Sequence, residues 1–205
     1  MSPDIVYWLN ETLYLNITNR CSNNCYFCFR HYLRGIAGFN LKLEREPTVK
    51  QIIKQLERFI STRHWKEIVF CGFGEPTMRL DCILEVTKWI KKYWPYIKVR
   101  LNTNGHGYLL NPGRDVAKEL KKAGIDAVSV SLNGHERKIY RQVCKPSFEN
   151  AYESVLDFIR RVKREELEVE ITCVRVPEID VSKIHDLALQ LNVKFRVRAY
   201  IPCFY

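Results

Sequence analysis

Cys21-Ser-Asn-Asn-Cys25-Tyr-Phe-Cys28 places three thiols on one short stretch, with gaps of three and two residues. Eight cysteines in 205 residues are too few for a disulfide-stapled secreted scaffold, so these thiols are read as metal ligands. Structural zinc asks for four tetrahedral ligands, and no second knuckle or histidine pair completes the set. His31, three residues past Cys28, is the nearest candidate. A cuboidal iron-sulfur cluster suits three cysteines better, because one iron then lacks a protein ligand and stays open to another molecule. Zinc and unliganded thiols are the alternative readings of the same residues.

A loop of this kind needs elements to hold it. Apolar and polar residues alternate over 13–18, 67–72, 99–104, 127–133, 169–174 and 195–202, which predicts six strands. Helical patterns lie between them at 49–60, 82–92, 116–123, 152–163 and 184–191, with Thr48, Asp81 and Ser182 as N-caps and Gly124 as a stop. Strict alternation of strand and helix predicts an α/β fold with parallel strands and right-handed crossovers. Parallel strands covered on both faces read as continuous hydrophobic runs, and these do not. Leu13, Leu15 and Ile17 oppose Tyr14, Asn16 and Thr18, and Val128, Val130 and Leu132 oppose Ser129, Ser131 and Asn133. One face therefore packs on helices while the other is polar. An ordinary solvent-exposed sheet face would show the same pattern. Six strands in about 200 residues are fewer than a closed eight-stranded barrel needs, and predict a partial (β/α)6 TIM-like barrel, laterally open, with a polar lumen. No linker or repeat divides the chain, so residues 1–205 are expected to be one domain.

The cysteine loop follows the first strand, at the carboxyl end where α/β sites lie. In CxxxCxxC spacing, Cys21, Cys25 and Cys28 resemble the signature of the radical S-adenosylmethionine (SAM) enzymes. The resemblance implies that the three thiolates hold a 4Fe-4S cluster and that SAM chelates the fourth iron. An electron from a flavodoxin- or ferredoxin-like donor then cleaves SAM, and the resulting 5'-deoxyadenosyl radical abstracts hydrogen from a substrate. Further words match the family. Phe27 resembles the aromatic packed near the adenine. Gly72-Phe-Gly74-Glu75-Pro76 resembles the segment whose backbone and Glu75 carboxylate receive the SAM amino group, with Phe73 in place of a glycine. Thr103-Asn104-Gly105 resembles the end of the third strand, and Ser129 and Ser131 the polar residues that approach SAM from the fourth. Leu-Asn-Ile-Thr-Asn-Arg-Cys, Phe-Cys-Gly-Phe-Gly-Glu-Pro and Lys-Phe-Arg-Val-Arg are similar to the TatD-associated subgroup, a label that names no substrate.

The remaining polar residues of the lumen face are the substrate candidates. Arg196 and Arg198 stand one pleat apart and suit a carboxylate or phosphate, with Glu170 and Tyr200 beside them; an internal Arg–Glu170 salt bridge is the competing expectation. Arg30, His31 and Arg34 form either a basic rim or plain surface charge. His64, His106, His135 and His185 show no ligand spacing and are read as incidental. Cys71, Cys82, Cys144, Cys173 and Cys203 are read as buried hydrophobes, with Cys203 alone a candidate substrate-side thiol. With 33 basic against 23 acidic residues the net charge is +10, which attracts anions, although the lysines and arginines are scattered over predicted helix faces. With 46% hydrophobic and 27% charged residues, the chain can bury a core and contains no stretch able to span a bilayer. No secretory signal is read, so a cytoplasmic address is expected. The sum is a radical SAM enzyme acting on RNA, a nucleotide or a protein in preference to a small anionic metabolite, its barrel uncapped by a further domain. The alternative from another class is a non-catalytic iron-sulfur electron carrier or metal-stabilised binding protein.

Overall fold

Alternating sequence becomes alternating structure in a computed structural model that describes residues 2–200. The strands are β1 (Val6–Leu9), β2 (Thr12–Leu15), β3 (Gly35–Ile36), β4 (Phe39–Asn40), β5 (Glu67–Phe70), β6 (Lys98–Thr103), β7 (Ala127–Ser131), β8 (Glu168–Val174) and β9 (Lys194–Arg198). The helices are α1 (Val49–Ile60), α2 (Leu80–Tyr93), α3 (Gly107–Leu110), α4 (Val116–Ala123), α5 (Arg137–Cys144), α6 (Ala151–Arg164) and α7 (Val181–Gln190). One sheet runs β1-β2-β5-β6-β7-β8-β9. From β2 onward each neighbouring pair is parallel, and β1 adds to β2 antiparallel. The sheet is not closed, because β1 and β9 are its edges. This is the expected partial barrel with one extra edge strand. The alternation of β1 is too short to read in sequence, and it reverses into β2 through Asn10 at φ 51°.

The apolar parity of β2 and β7 is as expected. Leu13, Leu15, Ile17, Val128, Val130 and Leu132 are buried in one apolar cluster against the helices. The polar face is closed off at Asn16 (0% exposed) and Ser129 (3%) and opens to solvent towards β9, where Arg196 and Arg198 are exposed. It is therefore the wall of a concavity open on its β9 side.

Local chemistry explains most helix ends. Thr48 and Gln51 form a reciprocal capping box on α1, and Gly124 ends α4 at φ 103°, in the left-handed region that favours glycine. Two expected caps are displaced. α2 starts at Leu80, so Asp81 lies inside its first turn and there favours the helix dipole. α7 is capped by Asp180, whose Oδ1 accepts from the amides of Ser182 (3.0 Å) and Lys183 (3.3 Å), the carboxylate displacing the Ser182 hydroxyl as acceptor. α5 has no counterpart in the sequence reading, because its charged residues leave only Tyr140, Val143 and Cys144 as an apolar stripe. The last strand ends at Arg198, short of the expected 202; residues 201–203, with Cys203, lie outside the described residues.

Candidate active site

Cys21 begins a loop that leaves the carboxyl end of β2 and reaches the helical turn Phe29–His31. Its backbone is clamped from the segment around the end of α5. The Asn24 amide donates to the Cys144 carbonyl (2.9 Å), the Tyr26 amide to the Val143 carbonyl (3.3 Å), and the Ser147 amide to the Ser22 carbonyl (2.9 Å). From the other side Arg30 folds back, donating to Cys28 Sγ (3.2 Å) and to the carbonyls of Asn19 (3.1 Å) and Asn23 (3.2 Å). The His31 ring also meets the Cys25 carbonyl at 3.0 Å. Arg30 is thus a half-buried brace of the cysteine loop, whereas His31 and Arg34 are exposed, as the surface reading expects. Tyr26 donates its hydroxyl to Glu178 (2.6 Å), and Phe27 sits half-buried against it.

Behind the loop runs a buried polar network. Asn104 Nδ2 donates to Ser22 Oγ (2.9 Å), which meets His106 Nδ1 (2.8 Å); His106 Nε2 meets the Tyr140 hydroxyl (2.9 Å), which accepts from Asn23 Nδ2 (3.2 Å). His106, read as incidental from sequence, is fully buried at its centre, and burial lowers its pKa to about 4. A lone histidine without ligand spacing carries no signal for such a role. Burial pushes the Cys21 thiol up to about 12, whereas the Cys144 thiol beside Cys25 holds that residue below its ordinary value.

The glycine-rich segment is built for close approach. A Cβ on Gly74 would lie 2.4 Å from the Arg20 carbonyl oxygen and 2.6 Å from that of Thr18, and one on Gly72 2.2 Å from Asn16 Oδ1. The backbones are then joined by the Glu75 amide donating to the Arg20 carbonyl (2.8 Å). Pro76 opens the helical turn Pro76–Arg79. The Glu75 carboxylate turns inward: Oε1 accepts from Thr77 N (3.0 Å), Thr77 Oγ1 (2.7 Å) and Thr103 Oγ1 (2.7 Å), and Oε2 from Asn104 N (2.6 Å). Burial raises its pKa against these donors.

On the lumen wall, register sets Asn102, Ser129 and Glu170 in one row. Arg196 grips Glu170 through two bonds (3.1 and 2.8 Å), and Ser129 Oγ donates to the same carboxylate (3.0 Å). The competing expectation for this arginine, an internal ion pair, is what the lumen shows. Burial pulls Glu170 up, the guanidinium more than offsets it, and the carboxyl ends below its usual value. Arg198 donates to Ser131 Oγ at 3.2 Å. Tyr200, just past β9, is exposed and close enough to influence Tyr26. Cys82, Cys144 and Cys173 are buried as expected, and Cys71 is partly buried.

The donor set fits an iron-sulfur cubane. Among the described residues no three histidine, cysteine or acidic side chains converge as ligands of one ion would. A cubane presents its irons at separate corners, one thiolate each. The model of the radical SAM superfamily matches residues 15–191. The chain belongs to the radical SAM superfamily. Radical SAM proteins are enzymes that use a 4Fe-4S cluster and SAM. Curated relatives include a probable GTP 3',8-cyclase of Thermococcus kodakarensis, 34% identical over 131 residues, covering 64% of this chain and 38% of that protein. Another of that description, from Pyrococcus horikoshii, is 29% identical over 175 residues, covering 85% and 50%. This radical SAM chain therefore spans half or less of the length of these relatives. Similar solved structures include native anSMEcpe with bound AdoMet, at TM-score 0.68 and 18% identity over 94% of this chain and 52% of that one. Streptococcus suis SuiB bound to precursor peptide SuiA gives TM-score 0.69 and 16% identity, covering 96% and 40%. These likenesses carry the partial-barrel fold. Among the described residues no helix is long and apolar enough to cross a membrane.

Proposed function

We propose that this radical SAM chain, acting as one domain over residues 1–205, generates a substrate radical on a nucleotide-like molecule. Cys21, Cys25 and Cys28 hold the cluster. Phe27, the backbone of Gly72, Gly74, Glu75 and Pro76, and the side chains of Asn104, Ser129 and Ser131 cradle SAM. When bound, the cluster and SAM supply a 5'-deoxyadenosyl radical by one-electron cleavage, the electron coming from a flavodoxin- or ferredoxin-like donor. The chain's own residues orient and shield. The observation that carries this reading is the clamping of the cysteine loop from both sides, by the segment after α5 and by Arg30. Three thiolates held on such a loop would leave one iron of a cubane without a protein ligand, open to SAM.

The substrate enters the lumen near Glu170, Arg196, Arg198 and Tyr200. Relatives named GTP 3',8-cyclase favour a nucleotide over RNA, a protein or a small anionic metabolite, and the net charge of +10 suits it. The TatD-associated subgroup stays our reading of the motif words. An oxygen-sensitive cluster suits the reducing cytoplasm. The experiment is anaerobic reconstitution, an iron count, and a search for 5'-deoxyadenosine with reductant and SAM. About four irons per chain with 5'-deoxyadenosine released supports the proposal. Iron without 5'-deoxyadenosine returns the chain to an electron carrier, and zinc in place of iron to a metal-stabilised binding protein.

A further inference from the structure

The three thiols of the cysteine loop are not held alike. Cys21 Sγ accepts from neutral donors, the Asn23 amide at 3.5 Å and Asn104 Nδ2 at 3.9 Å. Cys25 lies beside the thiol of Cys144. Among the described residues Cys28 Sγ alone accepts from a charged group, Arg30 Nε at 3.2 Å. The carbonyls of Asn19 and Asn23 take Nη1 and Nη2 of the same guanidinium at 3.1 and 3.2 Å, which fixes its plane. No described carboxylate stands within salt-bridge distance of Arg30, so the sulfur is the group its charge faces.

Phe73 supplies a second, independent observation. The guanidinium carbon of Arg30 lies 6.0 Å from the centroid of its ring, at the outer reach of a cation–π contact. The Phe29 ring meets the same ring edge-on, at 5.7 Å and 88°. Phe73 is itself fixed, buried with Tyr7 and Leu41 and donating its amide to Asn16 Oδ1 at 2.9 Å. It is also the residue that stands in place of a glycine in the glycine-rich segment. A glycine there would offer the arginine no aromatic face.

An electron added to a thiolate-bound cluster makes the sulfurs more negative, and hydrogen bonds to those sulfurs favour that reduced state. A charged donor does so roughly twice as strongly as a neutral one. We propose that Arg30, seated on Phe73, raises the reduction potential of the bound cluster through its hydrogen bond to Cys28 Sγ. Arg30 is a positioning residue, since it acts through Cys28, and Phe73 acts one step further back by holding the guanidinium. The inference rests on the reading of Cys21, Cys25 and Cys28 as cluster ligands and adds what sets how readily the cluster takes its electron.

The test is an anaerobic potentiometric titration of the reconstituted protein without SAM, followed by the electron paramagnetic resonance of the reduced cluster. Arg30→Gln removes the charge and lowers the ratio of reduced to oxidised cluster at a fixed applied potential about ten-fold, which is about 59 mV for one electron. Arg30→Lys keeps a charged donor without the fork and recovers most of that shift, although it loses the carbonyl braces. Phe73→Leu keeps an apolar side chain without the ring and shifts the ratio in the same direction, by about two- to five-fold. Arg34→Gln, at an exposed position of the same segment, leaves it unchanged. A merely structural brace gives another pattern: iron content falls in both Arg30 variants while the remaining cluster keeps the wild-type potential. That pattern overturns the proposal, as does an equal shift in Arg34→Gln, which reduces the effect to charge at a distance. Circular dichroism and iron content check each variant. Should Arg30→Gln hold no iron, Phe73→Leu carries the test, and an unmoved potential there overturns the proposal. A wild type that assembles no cluster defeats the reading of the cysteines as well, whereas a wild type that cleaves SAM and shares one potential with all its variants defeats this proposal alone.

Discussion

Single atoms decide much at this site. A methyl group on Gly74 would meet backbone oxygens of Arg20 and Thr18, and backbone has little room to yield. Gly74→Ala should therefore cost about 1–3 kcal/mol by overpacking, seen in urea unfolding, with a lower iron content after reconstitution. His106 makes a prediction of opposite kind, through pH. Burial lowers its folded pKa to about 4 from the ordinary 6.5, so below pH 6.5 the unfolded chain takes up a proton that the folded chain refuses. The stability this residue contributes is complete above pH 6.5 and is lost as pH falls towards 4. The loss amounts to roughly 2 kcal/mol between about pH 7.5 and pH 5. Measured against His106→Gln, the wild type should show this extra slope; parallel pH profiles would remove His106 from the buried network.

At the scale of elements, α5 matters more than its length suggests. It ends against the cysteine loop, offering carbonyls to Asn24 and Tyr26 and the Tyr140 hydroxyl to Asn23 and His106. Tyr140→Phe keeps the ring and removes that hydroxyl, leaving the Asn23 amide and the His106 ring each short of a buried partner. The expected loss is about 1–3 kcal/mol, together with slower or weaker iron incorporation while circular dichroism stays unchanged. Unaltered stability and iron uptake would show that the loop is held without α5. The elements whose apolar stripe was long enough, such as α1 with its Thr48 box, were readable from their residues. α5 was not, because eight residues, three of them charged, give too short an apolar stripe to read until Gly134 and Tyr140 are seen packed together.

For the whole molecule, the cysteine loop that would hold the cluster touches both the glycine-rich segment and the end of α5 at one end of the barrel, whereas the apolar side of the sheet is closed by its own side chains. Anything that binds only the folded state stabilises it. Stripping the iron should lower the melting temperature and open the stretch around residues 21–28 to protease, with the secondary-structure content of the barrel retained; global unfolding on chelation would instead make the metal part of the core. The polar concavity, the six parallel strands, the three thiols and the close-approach glycines were all legible in the residues alone, since strand parity and ligand spacing are local properties of a chain. Partnership was not. The pairing of Arg196 with Glu170, which leaves Arg198 over, depends on register between strands 26 residues apart in sequence. The inward turn of Glu75 towards Thr103 and the seat of His106 between Ser22 and Tyr140 depend on contacts spanning 28, 84 and 34 residues. Periodicity says which face a side chain is on, but the choice of hydrogen-bond partner is made only when distant strands close the same space.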